Sequence, residues 1–138
     1  VNRLIATFVL ALCVAVPVAA QTDFKRHALT ADVVREYRAA GLELAKLAYK
    51  GDDQREEMTV DEFVKELDAT PGAKPILDKH GLTSRTYALT TMSLVHASIY
   101  LAMEPTVDKD KARQLFKSYP PETRANIELP RKNPQFLK

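Results

Sequence analysis

The chain has 138 residues, with 20 Lys and Arg against 18 Asp and Glu and 46% hydrophobic residues, a length and content suited to one domain with one core. The balance is close to neutral and lacks the basic clustering of a nucleic-acid binder. One cysteine and four glycines exclude an internal disulfide, a thiolate metal site and a phosphate-cradling glycine loop.

Residues 1–20, VNRLIATFVLALCVAVPVAA, combine Arg3, an apolar run from Leu4 to Val16, and Val18 and Ala20 at small-residue positions before a cut. This is the pattern of a signal peptide cleaved near Ala20. A retained anchor is the alternative, but the apolar run is interrupted at Pro17 and falls short of the roughly 20 apolar residues of a span. A lipoprotein would need a small residue before Cys13, where Leu12 stands. The expectation is export to the periplasm or medium, with residues 21–138 as a single helical domain without a thiol.

The remaining segments show helical periodicity. A first helix is expected from Thr30 to about Tyr49, with Leu29, Val33, Tyr37, Leu44 and Ala48 on one side and Gly51 as its stop. After the charged linker KGDDQREEM, TVDE at 59–62 has the form of a capping box and opens a second helix carrying Val60, Phe63, Val64 and Leu67. Thr70-Pro71-Gly72 ends it. A short helix from Lys74 or Pro75 to His80 follows, closed by Gly81 as its left-handed residue and Leu82 as its apolar follow-up.

Thr83 or Ser84 then caps a central helix over 84–103, terminated by Pro105. At 100° per residue, Val95, Ala88, Ile99, Met92, Met103, His96, Leu89 and Tyr100 share one broad arc, which is the expected buried face. A narrower set, Tyr87, Leu94 and Leu101, lies opposite among Thr, Ser and Ala. Thr86 to Met103 is uncharged over 18 residues, but six of them are Thr, Ser or His, which favours a core helix over a membrane span. A further helix is expected from about Val107 to Ser118, its apolar side formed by Ala112, Leu115, Phe116 and Tyr119. Pro120-Pro121 breaks it. One short turn of helix around Thr123–Glu128 and a loose tail from about 129 complete the chain.

His96, inside the apolar arc, reads as a core histidine that needs a hydrogen-bond partner. The sharper reading takes the Met92, His96 and Tyr100 row, with Met103, as low-priority candidates for a small-ligand or haem pocket, since His and Met ligate haem iron. Met92 and His96 on one helix face cannot hold opposite sides of one iron, and no C-x-x-C-H attachment sequence exists. No cofactor and no metal is therefore predicted, with non-covalent haem as the alternative. His27, beside Lys25 and Arg26, reads as flexible surface, and His80 as a cation at a helix carboxyl end. Asp52-Asp53, Glu56-Glu57 and Asp108 with Asp110 lack the spacing of a calcium loop and read as solvated charge. No catalytic motif is present, so no catalytic residue is assigned.

The segment DATPGAKPILDKHGLTSRTYALTTMSLVHA and the later RANIELPRKNP resemble a group of small exported bacterial helical proteins of uncharacterised function. These share a proline, a Gly-Leu-Thr helix start, a tyrosine, a Thr-rich apolar helix and a later Asn-containing segment. The resemblance implies export and helical architecture, and it implies no activity or cofactor.

Together these features predict an all-α, single-domain bundle of about four main helices plus short ones around residues 84–103. The function expected of it is binding or interaction in the cell envelope, with an envelope protein or a small apolar ligand as partner and no nucleic acid. The alternatives are a small-ligand or haem-binding bundle and an envelope hydrolase with an unrecognised site.

Overall fold

A computed structural model describes residues 23–47 and 58–138. The signal-peptide reading, most of the charged linker and the end expected for the first helix at Tyr49 fall outside the described residues.

Local chemistry accounts for most helix ends. The Thr30 side chain accepts from the Val33 N–H at 3.2 Å and opens α1 (Ala31–Leu44). Thr59 and Glu62 form the capping box in full: the Glu62 N–H donates to the Thr59 hydroxyl oxygen at 3.2 Å, and the Glu62 carboxylate accepts from the Thr59 N–H at 2.8 Å. This pair starts α2 (Val60–Ala69). Gly72, at φ 86°, makes the left-handed corner into α3 (Ala73–Lys79). Gly81, at φ 66°, then closes α3 by donating to the Asp78 carbonyl while Leu82 donates to the Leu77 carbonyl at 2.9 Å, the paired bonds of a Schellman motif. Thr83 caps α4 (Ser84–Met103), Asp108 caps α5 (Lys109–Ser118), and Pro121 occupies the first position of α6 (Pro121–Lys132), where its missing N–H leaves no helical bond unmade. Short 3-10 turns lie at Asp23–Arg26, Glu104–Thr106 and Pro134–Leu137.

The architecture is all-α, with six α-helices and no strand among the described residues. α4 is its axis because it contributes to each of three apolar clusters. Tyr87 and Ala88 join residues of α1, α2 and α3, including Ala40, Leu44, Phe63, Leu67 and Leu77. Leu94 meets Leu29 and Val34. Ala97 and Tyr100 meet Ile127, with Phe116 and Tyr119 packed alongside. No helix among the described residues is long and apolar enough to cross a membrane.

Three expectations need correction. α1 stops at Leu44. The last helix spans Pro121–Lys132, and a 3-10 turn follows where the sequence suggests a loose tail; buried Ile127 and Pro130 and the contact of Phe136 with the Leu29–Val34–Leu94 cluster hold this end down. The six helices fit the expected all-α, single-domain bundle around residues 84–103.

The third correction concerns the buried face of α4. Val95 and Ile99 are 42% and 60% exposed, whereas Thr90, Ser93 and Ala97 are buried. The helix has turned one edge of its expected core arc, the side of Val95 and Ile99, outward. The reason lies in what packs against it. The small side chains let the 23–29 segment and α6 approach closely, and their hydroxyls satisfy buried backbone groups of that segment. Ser93 donates to the Phe24 carbonyl at 3.2 Å, and from α6 Thr123 donates to the Lys25 carbonyl at 2.8 Å. Asn126 accepts from the Leu29 N–H at 2.8 Å and donates to the His27 carbonyl at 2.6 Å.

Candidate functional site

The cavity of interest lies between α1, α2 and the first half of α4, with a volume of about 310 Å³. Tyr37 and Gly41 face it from α1, Phe63 and Leu67 from α2, and Tyr87 and Thr91 from α4. Helical spacing puts each of these pairs on one side of its helix. Leu44, Leu47, Ala73 and Thr70 complete the wall, and exposed Ala45 stands at the mouth.

Three rings build the interior. Tyr37 and Tyr87 lie with centroids 4.6 Å apart and planes tilted by 36°, and Phe63 meets Tyr87 edge-on at 6.2 Å, arrangements that the ring quadrupoles favour. Gly41 makes room for the Tyr87 hydroxyl, because a Cβ at position 41 would sit 3.2 Å from that oxygen. Among the described residues no charged side chain lines the cleft, and its polar side chains are tyrosine and threonine hydroxyls. An apolar concavity of this size with a few convergent polar groups is the usual form of a small-molecule site.

Two walls are fastened by an ion cluster. The His80 ring, at the end of α3, places Nδ1 2.9 Å from Glu36 and Nε2 2.9 Å from Glu43, both on α1, while Lys79 reaches Glu43 at 2.8 Å. The hydrogen bond to Glu36, and next that to Glu43, raises the His80 pKa above its ordinary value. Lys79, followed by His80, holds the Glu43 carboxyl below its usual range. In its protonated form the ring donates from both nitrogens and ties the end of α3 to α1.

The residues singled out in sequence are spread through the bundle, and none lines the cleft. Met92 packs against the α1–α2–α3 cluster. His96 is half-buried, tilted against Phe24 at 5.8 Å and edge-on to Tyr119 at 5.0 Å. Burial, with a smaller effect from Lys25, lowers its pKa, and among the described residues neither ring nitrogen has a hydrogen-bond partner. Tyr100 is buried beside Phe116 and Tyr119; its hydroxyl donates to the Ala112 carbonyl at 3.0 Å and lies 3.3 Å from Glu104. Burial first, and Glu104 next, raises its pKa. Met103 packs with the same cluster.

His27 is no flexible surface residue. It is half-buried with Nε2 3.3 Å from the Thr90 hydroxyl, and burial lowers its pKa. No metal-holding group of His, Cys, Asp and Glu is found among the described residues.

The sequence reading passed over Tyr37, Phe63, Thr70, Tyr87 and Thr91 as site residues. The available signal was tertiary in kind: aromatic residues on three separate helices, with Gly41 opposite one of them. No protein-family model, no curated protein and no solved structure matches this chain.

Proposed function

We propose that the protein is an exported helical binding protein that holds a small, apolar, ring-bearing molecule in the α1–α2–α4 cleft. The single observation behind this reading is the cleft itself: about 310 Å³, walled by three aromatic rings and leucine side chains, with no charged group among the described residues of its lining. An apolar cavity of about 150 Å³ accommodates benzene, so twice that volume accommodates about two fused rings. Export rests on the signal-peptide pattern of residues 1–20 and on the resemblance to small exported bacterial proteins.

Titration with a neutral naphthyl fluorophore tests the binding reading. The expected outcome is a saturable 1:1 emission change that Ala45→Trp abolishes while the helical circular dichroism stays unchanged, because Ala45 is exposed at the cleft mouth and a large side chain there obstructs the opening. A non-saturable change, or equal binding by the variant, contradicts the reading.

A further inference from the structure

Position 41 has no side chain, and neither the backbone nor helix packing requires that. Gly41 is ordinary helix within α1: its carbonyl accepts from the Ala45 N–H at 3.0 Å, and its φ is not positive, unlike those of Gly72 and Gly81. A glycine inside a helix weakens it relative to alanine, so the residue is unfavourable where it stands. Close approach of another helix does not explain it either. Among the described residues, a Cβ at position 41 would meet one heavy atom within 4 Å, the Tyr87 hydroxyl oxygen at 3.2 Å, and no backbone atom of another element. The rest of that position is open space, and Gly41 lines the cleft. What the missing side chain leaves is cleft volume.

We propose that Gly41 is the specificity-determining residue of the cleft: its bare backbone admits the second ring of a fused bicyclic aromatic molecule, and a side chain there restricts the cleft to a single ring. The inference rests on the binding role of the cleft and adds the size of ligand that the cleft selects. The cleft holds about 310 Å³, and one benzene ring is accommodated in about 150 Å³, so a second ring uses nearly all that remains. A methyl group at position 41 takes part of that remainder. It also crowds Tyr87, whose ring cannot retreat freely, because Tyr37 lies against it at 4.6 Å and Phe63 meets it edge-on at 6.2 Å. Surplus methyl groups in close-packed surroundings force side chains from their preferred positions, and one methylene changes selection by an apolar pocket roughly 10–200-fold. A single ring, which needs half the volume, escapes the crowding.

The test titrates the purified full chain with toluene, naphthalene and phenanthrene. On the wild-type chain naphthalene should bind tighter than toluene, because it buries more apolar surface, and tighter than phenanthrene, whose third ring exceeds the volume; tighter binding of phenanthrene overturns the two-ring limit without any variant. Gly41→Ala should then weaken naphthalene by roughly tenfold or more and leave toluene nearly unchanged, with the helical circular dichroism retained. Equal weakening of both ligands, as a general loosening of the helices would give, or no weakening of either, overturns the role of Gly41. The cleft reading stands in those cases provided Ala45→Trp abolishes binding of both. Failure of toluene and naphthalene alike to bind the wild-type chain removes the cleft reading and this inference with it.

Discussion

His80 shows how one side chain can connect folding to pH. Its folded pKa is raised by Glu36 and Glu43, so its stabilising effect is complete below the unfolded imidazole value of about 6.5 and is lost as pH rises through the folded value. Glu43 works from the other side: its lowered pKa gives stability that is present above the ordinary carboxylate range and lost as pH falls. His27 and His96, whose pKa values burial lowers, also destabilise the fold on acidification and so oppose His80. The informative quantity is therefore a difference between chains. Thermal midpoints of wild type and His80→Gln, measured from pH 6 to pH 9, should be furthest apart at the acidic end and converge as the pH rises; a constant gap would mean that His80 contributes only its shape. The sequence places His80 at a helix end but hides its partners, because Glu36 and Glu43 lie on a helix more than thirty residues earlier and nothing local marks them.

Helix limits were legible wherever a backbone rule acts within a few residues. Thr59 with Glu62, Gly81 with Leu82, and Thr83 all perform the capping roles their spacing suggests. Orientation was harder. In α4 the large apolar residues and the small polar ones compete for the interior, and periodicity weighs only size and hydropathy. It cannot count the backbone groups of residues 24–29 that Ser93, Thr123 and Asn126 satisfy. The consequence is measurable by denaturant unfolding. Ile99→Lys should change stability by no more than about 0.5 kcal/mol, as at ordinary surface sites, whereas Leu94→Ala should cost about 2–5 kcal/mol by leaving a cavity in the core. The reverse ranking would restore the arc through Val95 and Ile99 as the buried face.

Across the whole molecule, α4 divides the labour. Thr90 and Ser93 tie it to the 23–29 segment, Ala97 and Tyr100 pack against Ile127 of α6, and Tyr87 and Thr91 face the cleft. The helical class was legible because helical spacing recurs in segment after segment. The cleft was not, because it exists only where α1, α2 and α4 bring their aromatic residues together, and the row of Met92, His96 and Tyr100 drew attention to a different part of the same helix. His96 and Tyr100 now belong to a cluster with Tyr119 that is separate from the cleft wall. The most direct measurement is an amide chemical-shift map of the isotopically labelled chain during titration with 2-naphthol. The account predicts saturable shifts centred on Tyr37, Gly41, Phe63, Tyr87 and Thr91; shifts centred instead on His96 and Tyr119, or none at saturating ligand, would contradict it.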